Sequence, residues 1–210
     1  MAARLVVAGC GAFARELINW VDDAAERGAG PRISGFLDAN PDALGGFAYD
    51  LEWRGDLDAY TPRADEALLA AIGDPAAKRD VVARLRARGA VFAGFRHPSA
   101  LVARTAQLGE GVVLCPYTVI SADARIGDFV AVNLHSTIGH DVRVGAYSTL
   151  SAHVDLTGGV EVGDAAFFGS GARVLPRVKI GAGAKVGAGA TVMRAVPEQA
   201  VVYTTPAKRL

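Results

Sequence analysis

Reading every sixth residue from position 102 gives Val102, Leu108, Leu114, Ile120, Ile126, Val132, Ile138, Val144, Leu150, Leu156, Val162, Phe168, Val174, Ile180, Val186 and Val192. All sixteen are apolar. If about half of all positions were apolar, chance would produce that run roughly once in 10⁴–10⁵ trials. Two residues before each lies a smaller side chain at nearly every turn, as at Ala106, Val112, Thr118, Ala124, Val130, Ser136, Val142 and Ser148. Glycine often follows the apolar position, at Gly109, Gly127, Gly139, Gly145, Gly163, Gly169, Gly181 and Gly187. Glycine there permits a positive φ or a close backbone approach at a corner. A period of six fits neither a helix nor simple alternation. It predicts a β-solenoid in which each hexad supplies one short strand and one corner.

The first half has a different period. "RLVVAGC" (4–10) is a β-rich apolar run, and "GAFARELINWVDDAAERG" (11–28) follows with helical spacing, Phe13, Leu17 and Trp20 sharing a face. "RISGFLD" (32–38) predicts a second strand ending at Asp38, and "ALLAAIGD" (67–74) a third. The helix "PAAKRDVVARLRARG" (75–89) comes next, Pro75 suiting its first turn, and "AVFAGF" (90–95) reads as a fourth strand. Alternation of this kind implies a small parallel sheet with right-handed crossovers. The change of period places a boundary near His97, with one domain over 1–96 and the other over 97–210.

Composition narrows the class. Lys+Arg and Asp+Glu both number 22, so no net field favours nucleic acid or an anionic membrane. The basic residues of 78–88 are interleaved with Asp80 and read as a solvated helix face. Cys10 and Cys115 stand far apart without a CxxC, which argues against a disulfide scaffold and a cysteine zinc site. The N-terminal apolar run is too short and interrupted for a signal peptide or a membrane span. The expectation is a reduced, soluble, cytoplasmic protein.

The chemistry concentrates in "NLHSTIGHDVRVG" (133–145). In the hexad frame Ile138 points inward and His140–Asp141 occupy the slots before Val142, near a corner and exposed. Adjacent residues on a regular strand face opposite sides. At a corner the Asp141 carboxylate can support the imidazole of its neighbour. His135 and His153 differ by 18 residues, three hexads, and should stack on one face of successive coils as surface or interface residues; two neutral ligands alone make a weak case for a metal. His97, before Pro98, reads as structural. The turn "AGCGAFARE" brings glycine to a helix N-terminus, where backbone can approach a phosphate, but it is not a full GxGxxG, so dinucleotide binding is poorly supported.

"GCGAFARE" (9–16), "GFLD" (35–38), "AIGD" (71–74), "HPSA" (97–100), "NLHSTIGHDVRVG" and "TTPAKRL" (204–210) together resemble hexapeptide-repeat sugar acetyltransferases of the sialic-acid O-acetyltransferase and bacillosamine-precursor N-acetyltransferase type. The resemblance covers essentially the whole chain. It implies an α/β, Rossmann-like nucleotide-sugar domain followed by a left-handed parallel β-helix, and a homotrimer with acetyl-CoA in the cleft between two subunits. It makes His140 the general base and Asp141 its helper, with a backbone N–H stabilising the oxyanion. Acetyl-CoA would be held by Thr149, Gly158, Ser170 and Ala188, with Lys208 and Arg209 near its phosphates. The nucleotide sugar would meet Gly11, Ala12, Phe13, Asp38, Gly73 and Lys78. At Thr149 some members carry histidine, and in the Ala12–Phe13 region many carry Gly-His; this chain departs from both patterns.

The implied reaction is acetyl transfer to a nucleotide-linked amino sugar, such as the 4-amine of a 4-amino-4,6-dideoxyhexose, with acetyl-CoA as co-substrate and no metal. O-acetylation of a sialic-acid-like sugar is the alternative on the same fold. A metal-dependent solenoid of carbonic-anhydrase type would need His135, His140 and His153 around one ion, and a solenoid used only for assembly would not bind acetyl-CoA.

Overall fold

The computed structural model describes residues 4–205. Lys208 and Arg209 lie outside the described residues. The N-terminal part is a four-stranded parallel sheet, formed by β1 (Arg4–Ala8), β2 (Ile33–Leu37), β3 (Glu52–Gly55) and β4 (Glu66–Ala70), in the order β3-β2-β1-β4. Helix α1 (Ala12–Glu26) follows β1, and α2 (Pro75–Ala87) follows β4. The buried stripe of α1 is Ala14, Leu17, Ile18, Val21 and Ala24. Phe13 and Trp20 pack at its margin, so the stripe is rotated from the expected Phe13–Leu17–Trp20 face. Asp74 caps α2 by accepting from the Ala77 N–H at 2.9 Å, and Pro75 opens the helix.

Two sequence expectations for this sheet need correction. The fourth strand is β3, whose "EWRG" carries no apolar run and sits at the sheet edge, so alternation did not reveal it. "AVFAGF" is instead divided between the two parts of the molecule: Phe92 makes a single bridge to Leu68, whereas Phe95–Arg96 pairs with Val113–Leu114 as the first rung of the solenoid.

From Phe95 the chain forms a parallel solenoid with three faces, of seven, six and five two-residue strands. Each strand pairs with the residues 18 positions away, as Ala131 with Thr149 and Arg143 with Glu161. The hexad positions from Leu114 onward are buried as one continuous apolar column; Leu108, in the first full coil, remains partly exposed. From Leu108 to Val186, positive φ falls at the third residue after each inward position, including Tyr117, Asp123, Phe129, His135, Asp141, Tyr147 and His153. The glycines directly after the inward positions do not have positive φ; they permit close approach instead. A Cβ on Gly127 would lie 2.7 Å from the Ala146 nitrogen, and one on Gly139 would lie 2.9 Å from that of Gly158.

The outward residues differ between faces. The five-stranded face carries Gln107, Arg125, Arg143, Glu161 and Lys179, whereas the seven-stranded face carries Val113, Ala131, Thr149 and Phe167. The N-terminal sheet docks on this apolar row, where Val113, Cys115 and Ala131 join Leu17, Ile18 and Phe36 in one buried cluster. His97 clamps the junction: its Nε2 lies 2.8 Å from Asp23 Oδ2 on α1, and its Nδ1 lies 2.7 Å from Ser99 Oγ. Lys78 of α2 crosses the same interface, donating from Nζ to Thr149 Oγ1 at 3.0 Å and to the Ser148 carbonyl at 3.3 Å.

Burial pushes the Lys78 ammonium down to about 7 despite the opposing pull of the Asp74 carboxylate. The unfolded chain then binds more protons than the native one between that value and the ordinary lysine value, so stability rises with pH across this window. Charging the buried amine costs on the order of several kcal/mol below neutrality. Lys78→Met should therefore raise the melting temperature at pH 6.5, with the gain shrinking by pH 10, as thermal melts across pH would record.

Candidate active site

His140 and Asp141 follow Ile138 at the corner between the six- and five-stranded faces. Asp141 has φ of 61°, a conformation that aspartate, asparagine and histidine enter more readily than other side chains. That backbone turn swings the carboxylate back toward the preceding residue, and Oδ2 lies 2.8 Å from His140 Nδ1. Both side chains are exposed, at 71% and 67%. A carboxylate only accepts, so Nδ1 carries the hydrogen and Nε2 keeps its lone pair. The imidazole is thereby oriented as a base.

Gly158 lies one coil further, directly against this ring. A Cβ there would overlap Nε2 and come within 2.6 Å of Cε1. Gly158 donates no backbone hydrogen bond to another described residue, while its neighbour Gly159 donates to the His140 carbonyl at 2.8 Å. His140, Asp141 and Gly158 thus form one contact group with a base and an adjacent amide N–H.

A second group forms on the seven-stranded face. Ala12 and Phe13 of α1 and Gly73 between β4 and α2, together with Thr149, line a cleft of about 170 Å³ whose other walls include Asn133 and Phe167. Gly11 is the N-cap of α1 and offers no side-chain cap, so the first amides of the helix remain open beside that cleft. Asn133, Ser151, Glu16 and Phe167 also line it and escaped the sequence reading. The available signal was the apolar outward row on one face, which marks where the other domain must dock.

The remaining candidates lie elsewhere. Ser170 and Ala188 stand 18 residues apart, exposed, at the corner that also carries His135 and His153. The carboxylate of Asp38 already serves the glycine turn, accepting from the Cys10 N–H through Oδ2 and from the Asn40 N–H through Oδ1, each at 2.9 Å. Lys78 is fully buried and turned toward Thr149, so it does not present its ammonium on an open surface for a diphosphate. Tyr117, His135 and His153 stack in a column with ring centroids 5.0 Å apart. The planes of the two histidines differ by 3°, so their in-plane lone pairs run parallel and do not converge on a common ion. Burial raises both thiols, Cys10 to about 11, which leaves neither as a thiolate nucleophile.

The bacterial transferase hexapeptide family (six repeats) matches residues 159–194. No curated protein sequence matches the chain significantly. Among solved structures, a histidine-to-asparagine variant of perosamine N-acetyltransferase from Caulobacter crescentus, in complex with CoA and GDP-perosamine, is 32% identical; the alignment covers 99% of this chain and 97% of that one, with a TM-score of 0.87. The chain belongs to the hexapeptide-repeat sugar N-acetyltransferases. Membership makes it an acyltransferase that uses acetyl-CoA. The acetyltransferase domain of PglB from Neisseria gonorrhoeae FA1090, in complex with acetyl coenzyme A, is 27% identical over 100% of both chains, with a TM-score of 0.84. WeeI from Acinetobacter baumannii AYE is 25% identical over 100% of both, with a TM-score of 0.83. No described helix is long and apolar enough to cross a membrane.

Gly158→Ala tests the contact group. The added methyl must push the imidazole off Asp141, and misplacing a catalytic group by about 1 Å can cost on the order of 10²-fold in rate. We expect kcat to fall 10- to 100-fold with thermal stability retained. A rise in KM for acetyl-CoA at unchanged kcat would instead assign Gly158 to co-substrate binding alone.

Proposed function

We propose that this protein transfers acetyl from acetyl-CoA to the 4-amine of a nucleotide-linked 4-amino-4,6-dideoxyhexose, with His140 as the general base. The observation that carries the base assignment is the 2.8 Å contact between His140 Nδ1 and Asp141 Oδ2, which leaves Nε2 free. The relatives that bind CoA together with GDP-perosamine support a GDP-linked acceptor.

In the reaction the acceptor nitrogen adds to the thioester carbon as its proton passes to His140 Nε2. Asp141 stabilises the resulting imidazolium through Nδ1–H, and the Gly158 N–H faces the developing oxyanion. The tetrahedral adduct collapses to the amide and expels the CoA thiolate, which takes a proton back from the imidazolium.

The architecture proposed around this chemistry is a Rossmann-like domain over 1–96 and a left-handed β-helix over 97–210, in a cytoplasmic homotrimer. Support for the oligomer comes from the separation of the two residue groups. The cleft with Ala12, Phe13, Gly73 and Thr149 opens on the seven-stranded face, while His140 stands at the corner between the other two. A neighbouring copy would bring His140 to that cleft, with Ser170 and Ala188 along the groove between copies.

Release of free CoA should be followed with GDP-, UDP- and dTDP-linked 4-amino-4,6-dideoxy sugars, comparing wild type with His140→Ala. Turnover on one amino sugar, reduced by 10²- to 10⁴-fold in the variant, is the expected result. Turnover only with sialic-acid-like hydroxyl acceptors would replace N- by O-acetylation, and failure to bind acetyl-CoA would overturn the reading.

A further inference from the structure

Lys78 is among the largest fully buried side chains of the described residues, and the proposed chemistry leaves it without a role. Its amine stands between the two parts of the chain, 3.0 Å from Thr149 Oγ1. Thr149 in turn lines the cleft with Ala12, Phe13 and Gly73. Lys78 is the one side-chain partner that Oγ1 has among the described residues. The second contact of the amine, the Ser148 carbonyl, is fixed by the ladder, because it already accepts from the Ala131 N–H at 3.0 Å. Ser148 is held further by its hydroxyl, which donates to the Gly163 carbonyl and accepts from the Ala166 N–H. The amine is therefore anchored on one side and meets a rotatable hydroxyl on the other.

A threonine hydroxyl has one hydrogen to give, and an ammonium can only donate. Opposite an ammonium, Oγ1 must accept, and its own hydrogen turns away from Lys78. Opposite a neutral amine, the hydroxyl can donate to the Nζ lone pair, and only its own lone pairs remain for other partners. We propose that Lys78 is a positioning residue that sets whether the Thr149 hydroxyl meets acetyl-CoA as a hydrogen-bond donor or as an acceptor. The proposal rests on the acetyltransferase reading and extends it. The thioester carbonyl oxygen accepts, so the protonated state of Lys78 favours acetyl-CoA, and the neutral state removes that hydrogen bond.

Burial holds the amine low enough, at about 7, for the two states to exchange within the working range of an enzyme. Its own helix carries Asp74 at the N-cap and Arg79, Asp80, Arg84 and Arg86 along its length, and Glu16 of α1 lines the same cleft as Thr149. Among these, the Asp74 carboxylate favours the ammonium.

The test is direct binding of acetyl-CoA and of CoA by calorimetry from pH 6 to 8.5, with wild type, Lys78→Met, Thr149→Val and Thr149→Ser. CoA lacks the thioester carbonyl, so the ratio of the two affinities isolates that contact from the rest of the ligand. In wild type the preference for acetyl-CoA over CoA should fall about fivefold as pH rises through 7, the worth of one neutral hydrogen bond. It should be flat in Lys78→Met and Thr149→Val and retained in Thr149→Ser. A purely structural Lys78 would shift both affinities together and leave the slope unchanged. A flat wild-type ratio, or an unchanged slope in Thr149→Val, overturns the proposal whatever Lys78→Met shows. Absence of acetyl-CoA binding at every pH would overturn the acetyltransferase reading itself, a different outcome from a flat ratio.

Discussion

The solenoid closes one coil in eighteen residues, and its parallel ladder holds each residue over its counterpart in the coils before and after. Parallel pairing of Thr137 with Asp155, of Arg143 with Glu161 and of Ala131 with Thr149 is the same displacement on three faces. The vertical neighbour of any side chain is thus fixed by sequence arithmetic. His140 stands against Gly158 because they are 18 apart, and the imidazole fits only because that neighbour has no Cβ. His135 lies over His153 for the same reason, and Tyr117 continues the column. The stacked histidines follow from corner geometry, since three ring-bearing residues share one backbone slot with φ near 60°.

The second constraint is the unequal chemistry of the three faces. A solenoid face exposed to water can carry arginine, glutamate and lysine outward, as the five-stranded face does. The seven-stranded face carries valine, alanine and threonine, and the N-terminal sheet covers them. Removing apolar surface from water, at about 25 cal/mol per Å², holds the two parts together. The polar contacts at His97 and Lys78 set their orientation. The cleft exists because the covering ends at Thr149 and Phe167, where Phe13 and Gly73 reach the solenoid.

The solenoid was the most legible part of the sequence, since an inward position every six residues survives any local reading of propensity. The corner pair His140–Asp141 was legible for the same reason, because the hexad frame says which residues leave the strand. Strand β3 was not, because an edge strand of "EWRG" has neither alternation nor an apolar run. The split of "AVFAGF" was hidden as well: an apolar hexapeptide looks the same whether it pairs with one sheet or hands the chain from one to another. The burial of Lys78, which the resemblance assigns to the nucleotide sugar, was hidden because sequence does not say which side of the helix meets the second domain. Asp38 was read as a ligand contact for a similar reason, although its oxygens serve the turn that β1 makes into α1.

The His140–Asp141 contact depends on a conformation that a strand cannot supply. Two adjacent residues in extended backbone point to opposite sides, and their side chains would not meet. At Asp141 the left-handed turn reverses that divergence. Such a turn costs of order 1–3 kcal/mol at a residue other than glycine. The solenoid repeats it at each corner from Gly111 to Gly189, however, and fills others with Tyr117, Phe129 and Tyr147, which gain nothing from a local hydrogen bond of the aspartate kind. The left-handed turn at Asp141 therefore belongs to the fold, and any residue but glycine would carry its strain there. Aspartate meets it at lower cost than those aromatic rings and orients the neighbouring imidazole at the same time. A histidine–aspartate contact built this way needs no distortion of its own, only a histidine in the slot before the corner and a glycine one coil away.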